Sequence, residues 1–236
     1  MTRRLAPSVG WGVLHLFCRV GGDGGEPALL DRKAILRAVE TAEEDGVQVV
    51  VAALLGHKAD IGFVALGADL WRLRRLQSEL QAAGLRVADS YVSLTEVSEY
   101  ADGLPEEMKQ ARLYPKLPPD GMTAFCFYPM SKRRGDEVES NWYLTPYEQR
   151  RALMGGHGAM GRTFRGRVLQ LITGSTGLDD WEWGVTLFGV HPDDLKECVY
   201  SMRFDEASAR FAEFGPFVTG VVAPIEEVLD QVGVDA

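Results

Sequence analysis

The chain has 236 residues, 46% hydrophobic and 25% charged, which is ordinary for a globular protein able to bury a full core and excludes a disordered or fibrous one. A formal net charge of -9 argues against non-specific binding to nucleic acid or to anionic membranes, so a local run of cations carries more weight here than it would on a basic protein. Cys18, Cys126 and Cys198 lie scattered in apolar surroundings without a CxxC pair and read as reduced core residues.

From the N-terminus, positions 8–20 alternate and are rich in Val, Leu and Phe, predicting a strand in place of a signal peptide. Residues 28–45 place apolar side chains at helical spacing and stop at Gly46. "VQVVVAALLG" and "DIGFVALG" predict two strands around the polar turn "HKAD". "DLWRLRRLQSELQAAG" is an amphipathic helix closed by Gly84, with Arg72, Arg74 and Arg75 on its wet face, and "RVADSYVSLTEV" is a further strand. The order is βαββαβ.

After the Pro-rich "LYPKLPPDG" the order recurs: a strand over 123–129, a helix near 147–156, strands near 164–174 and 181–189, and a helix over 192–201. The helix-like "DEASARFAEF" and strand-like "FVTGVV" close the chain. Two such units predict an α+β protein of tandem ferredoxin-like repeats, 1–100 and 123–236, joined by a linker over 101–122 and forming a dimeric α/β-barrel-like core. No apolar run approaches bilayer length, so no membrane partner and a cytoplasmic location are expected.

Two stretches point to chemistry. "FCFYPMSKRR" (125–134) reads as an interior strand that ends in Lys132, Arg133 and Arg134, so its cationic end should emerge into a cleft or into water. That suits a large, flat, apolar ligand rimmed with carboxylates; a core strand ending in a solvated basic turn is the alternative. In "LMGGHGAMGR", His157 sits at a helix end between glycines, with no second His, Cys or carboxylate at i+3 or i+4, which makes a tetrahedral zinc site improbable. A single protein ligand with an open face opposite is what haem iron takes. Trp142, Trp181 and Trp183 read as core or interface aromatics, and Asp179, Asp180 and Glu182 as residues that cap and solvate a hairpin turn.

Together "CFYPMSKRR", "NWY", "HGAMGR", "QLITGSTGLDDWEWGVTLF" and "MRFDEASARFAEFGPF", with "GHKAD" in the first half, resemble the chlorite dismutase superfamily in its haem-biosynthetic branch, the coproheme decarboxylases. The resemblance implies His157 as the proximal iron ligand and Tyr128 as a catalytic tyrosine that becomes a radical. It implies Arg112, Lys132 and Ser208 as partners of porphyrin propionates, and Met130 as a neighbour of the reactive one. Gln170 stands where the family's true chlorite dismutases keep a distal arginine. The implied reaction is hydrogen peroxide-dependent decarboxylation of two propionates of iron-coproporphyrin III (coproheme) to vinyl groups, giving haem b. A homopentamer is implied too, with the coproporphyrin ferrochelatase as a candidate partner. A chlorite dismutase-like haem enzyme and a non-catalytic haem carrier or sensor are the competing readings; the oxidisable phenol of Tyr128 separates the carrier, which has no use for it.

Overall fold

A computed structural model describes residues 4–21, 30–101 and 103–234. The chain runs β1 (Gly12–Arg19), α1 (Arg32–Glu44), β2 (Gln48–Leu55), β3 (Ile61–Gly67), α2 (Leu70–Ala82) and β4 (Arg86–Thr95), then α3 (Glu106–Leu113). It continues with β5 (Ala124–Lys132), α4 (Tyr147–Arg162), β6 (Val168–Gly174), β7 (Trp183–Gly189), α5 (Pro192–Met202), α6 (Glu206–Phe211), β8 (Ala212–Phe214), β9 (Val218–Val222) and α7 (Ile225–Gln231). The fold is mixed α+β. Residues 28 and 29, where the first helix was expected to begin, lie outside the described residues. No described helix is long and apolar enough to cross a membrane.

Local chemistry explains the boundaries. Asp31 and Asp69 cap α1 and α2 by accepting from Ala34 N and Trp71 N. Gly46 and Gly84 follow those helices with φ of +83° and +99°, a region that only glycine enters cheaply.

All paired strands are antiparallel, in the order β7-β6-β4-β1-β3-β2-β9-β5-β8, and β7 also pairs with β5. Every strand but β8 therefore belongs to a closed ring, which leaves few exposed edges. Alternate side chains enter three cores. Val13, Phe17, Val64, Phe125, Phe127 and Phe188 fill the inside of the ring. Outside the first half, Leu14, Leu16, Ile61 and Phe63 pack beneath α1 and α2. Outside the second half, Ala124, Cys126, Tyr128, Val185 and Leu187 pack with Leu195 and Cys198 of α5. The three cysteines are buried and free, as expected.

Three elements were not anticipated, the smallest being β8, which replaces the last residues of the expected helix over "DEASARFAEF". The stretch expected as a linker carries α3, whose Leu113 is buried and whose C=O accepts from Thr95 Oγ1 at 2.8 Å. More consequential is α7, which lies in the second half of the chain but packs in the first half's outer core. Val228 and Leu229 are fully buried there, and Arg32 of α1 donates to Val234 O at 2.7 Å and to Glu226 O at 3.0 Å. The two halves thus share their helical layers as well as the ring.

Candidate functional site

Three adjacent strands build one wall. Their register aligns Met130 with Trp183 and Gly174, Tyr128 with Val185 and Ile172, and Cys126 with Leu187 and Gln170. With strands about 4.8 Å apart, Tyr128 and Ile172 stand about 10 Å apart across β7, with Gln170 one row further along on the same face. This wall is apolar apart from the phenol and one amide. α5 covers one end of it, through Leu195, Cys198 and Val199.

α4 faces the rest without closing on it. None of its residues is buried, and Ile172 on the wall is 43% exposed, which an apolar side chain in the middle of a covered sheet would not be. The helix was expected to end at 156; it runs to Arg162, because Gly155, Gly156 and Gly158 keep ordinary helical φ. His157 therefore sits within the helix. One turn on, a Cβ at Gly161 would stand 3.4 Å from Gln170 Nε2, so the face shared by 157 and 161 looks toward the wall.

Behind His157 lies a polar nest. His157 Nδ1 is 2.7 Å from Asp205 Oδ2, and Ser208 Oγ is 3.3 Å from the same nitrogen. Asp205 is also the cap of α6, accepting from Ser208 N at 3.0 Å. Burial would raise the Asp205 carboxyl, but the hydrogen bonds and charge of His157 together with the bonds from Ser208 outweigh it and hold the group below the usual carboxylate range. Burial pushes the His157 imidazole down, Lys132 adds to that, and Asp205 opposes both. A neutral imidazole held this way would donate Nδ1–H to the Asp205 carboxylate and keep the Nε2 lone pair for a metal.

The cationic end of β5 emerges at Arg133 and Arg134, as expected, but not at Lys132. Lys132 is only 6% exposed: its Nζ donates to Ala207 O at 3.3 Å and lies 4.5 Å above the Trp142 ring, while its N–H donates to Glu182. Burial lowers Lys132 to about 8, against the raising fields of Asp205 and Glu182. The exposed cations of the run are Arg133 and Arg134.

Tyr128 is stacked on Phe217 at 4.4 Å and tilted against Phe214 at 5.7 Å. Burial raises its pKa, and its hydroxyl makes no hydrogen bond among the described residues. Arg203, which no sequence pattern singled out, lies over Phe214 at 4.7 Å, and its charge acts on the phenol. Met130 is half-buried in the first row of the wall, and Gln170 reaches Cys198 Sγ at 3.7 Å. Arg112 stands apart: it is exposed in the last turn of α3, and no contact joins it to the His157 cluster among the described residues. Ser208 is buried beside His157 instead of standing at a rim. Asp205 and Arg203 were legible only as members of "MRFDEASAR"; no spacing rule links either to His157, 46 or 48 residues earlier.

The site fits an iron porphyrin: an apolar wall for the ring and, among the described residues, one imidazole with a free Nε2 and a phenol without a hydrogen-bond partner. No cluster of three or more His, Cys, Asp or Glu suited to a metal ion occurs among the described residues; His157 is the imidazole that would meet a porphyrin iron.

Residues 30–223 match the family model described as chlorite dismutase. The chain is 44% identical over 189 residues to the coproheme decarboxylase of Staphylococcus carnosus, covering 75% of this chain and 73% of that protein. It is 41% identical over 251 residues to a candidate haem-binding protein of Natronomonas pharaonis, covering 93% of this chain but only 40% of the relative's length. Among solved structures, a haem-binding protein from Thermus thermophilus superimposes with a TM-score of 0.81 at 34% identity, over 98% of this chain and 100% of that one.

Proposed function

The chain belongs to the chlorite dismutase family, and on that premise we propose that it is a coproheme decarboxylase, converting two propionates of iron-coproporphyrin III to vinyl groups with hydrogen peroxide and yielding haem b. The observation that carries this reading is the pairing of an iron-ready imidazole with an unpartnered phenol: His157 is held by Asp205 through Nδ1, and Tyr128 lies on the wall that α4 faces. The reading extends to a cytoplasmic homopentamer, to supply by the coproporphyrin ferrochelatase, and to a ring of strands built from two ferredoxin-like repeats, 1–100 and 123–236, as a dimeric α/β-barrel.

Bound in the slot, the iron porphyrin supplies the oxidising power once peroxide reaches it. His157 gives Nε2 to the iron, and Asp205 keeps that nitrogen basic. Tyr128 gives up an electron and its proton, and the phenoxyl radical takes a hydrogen atom from the propionate β-carbon. The propionate then loses a second electron and carbon dioxide to leave the vinyl group; each turn consumes one peroxide and one proton and releases two waters. Among the described residues the phenol has no hydrogen bond to break before it reacts. Arg112, Lys132, Met130 and Ser208 are proposed around the propionates, the buried ones requiring the nest beside His157 to open toward the ligand. Arg203, exposed and without an ion pair among the described residues, is a further cation for a propionate near Tyr128. Gln170 offers an amide where a chlorite dismutase needs a fixed cation for its anionic oxidant, which favours the decarboxylase over that chemistry.

The test is mass spectrometry of the porphyrin while peroxide is titrated into the coproheme complex. Two successive losses of carbon dioxide and two hydrogens are expected. An unaltered or merely bleached porphyrin refutes the proposal.

A further inference from the structure

Glu182 lies next to the wall residue Trp183 and, with Asp179 and Asp180, was expected on a solvated turn. Asp180 is indeed exposed, but Glu182 is 4% exposed. Its two carboxylate oxygens have separate partners. Oε2 accepts from Lys132 N at 2.8 Å, and Oε1 accepts from Arg134 Nη2 at 2.7 Å. Its own N–H donates to Met130 O at 3.1 Å, and its C=O accepts from Ser175 N at 2.8 Å. A buried carboxylate persists only where it is paired and bonded, and this one is held from both sides.

What it ties together matters. The segment 133–145 is closed on itself by Gly135 N donating to Ser140 O at 3.1 Å and Trp142 N to Arg133 O at 3.0 Å. Arg134 lies over the Tyr143 ring at 5.5 Å, and the same segment sets Trp142 against the Lys132 ammonium. Glu182 thus joins the end of β5, the hairpin between β6 and β7, and the segment that walls Lys132 in.

We infer that Glu182 is a positioning residue: it clasps segment 133–145 to β5 and so keeps Lys132 and Trp142 in place behind His157, which fixes the direction in which the imidazole faces the porphyrin slot. The inference rests on His157 being the iron ligand.

Two variants test it. Glu182→Gln keeps an oxygen for Lys132 N–H but cannot pair with the guanidinium, and Arg134→Leu cuts the same link from its exposed side. In porphyrin-free protein, amide hydrogen exchange over 133–145 should quicken roughly tenfold to a hundredfold in both, the scale of one charge-assisted bond, and the double variant should add nothing to Glu182→Gln. With iron-coproporphyrin bound, the iron–imidazole stretch should shift or broaden in both. Unchanged exchange in both variants overturns the clasp. Faster exchange with an unchanged stretch overturns the positioning role. A parent protein with no imidazole ligation at all overturns the functional reading and the positioning role with it, while the exchange data still show whether the clasp is there.

Discussion

Asp205 Oδ2 lies 2.7 Å from His157 Nδ1, a contact that leaves Nε2 as the nitrogen a metal would take. Asp205→Asn keeps an oxygen acceptor and a residue suited to capping α6, so stability should change by less than about 1 kcal/mol. It removes the charge. Affinity for iron-coproporphyrin should fall roughly tenfold to a hundredfold, as for other outer partners of a ligating histidine, while metal-free coproporphyrin binds as before. Parallel titrations of the two porphyrins, read by absorbance, check this; equal losses for both would mean that Asp205 serves packing alone.

Tyr128→Phe should separate binding from chemistry. The phenol makes no hydrogen bond among the described residues, so its loss should leave the porphyrin-free protein as stable or slightly more stable, within about 1 kcal/mol. Coproheme should still bind, and conversion should stop. Porphyrin mass against added peroxide measures this, and conversion to haem b at the parent rate would remove Tyr128 from the mechanism.

His15 sets an acid limit on stability. It is fully buried inside the ring with Nε2 2.8 Å from Thr186 Oγ1, Nδ1 without a partner, and Phe127 at 4.3 Å; burial lowers its pKa from 6.5 to about 3. The unfolded chain therefore binds a proton between those values that the folded chain refuses. Stability should be unaffected by His15 above about pH 6.5 and fall by about 1.4 kcal/mol per unit as pH drops through the window. His15→Leu should flatten the slope by one proton, whatever its absolute stability. Urea midpoints between about pH 6.5 and pH 4 decide it, and an unaltered slope would place the acid sensitivity elsewhere.

Leu229→Ala tests the sharing of helical layers between the halves. The side chain is fully buried in the first half's outer core, so about 2–5 kcal/mol should be lost. Amide exchange should rise in α1, nearly 200 residues earlier in the chain, as well as in α7. A rise confined to residues beyond 123 would show that α7 is not part of that core.

Periodicity and punctuation determined most of the elements. Apolar spacing with Gly46 and Gly84 made α1 and α2 readable, and alternation marked the strands, because each depends on contacts within a few residues. His157 and Tyr128 were singled out through long local motifs. Register, closure and burial were not, since they depend on which distant segments meet. That β7 pairs with β5 and completes the ring, that α7 crosses to the first half, and that Arg112 stands apart from His157 are all outcomes of pairing between segments far apart in sequence. The same holds for charge. Lys132 and Glu182 look like surface residues in their own neighbourhoods, and only the packing of 133–145, α6 and the β6–β7 hairpin around them makes burial tolerable, by supplying each with a partner that local sequence could not identify.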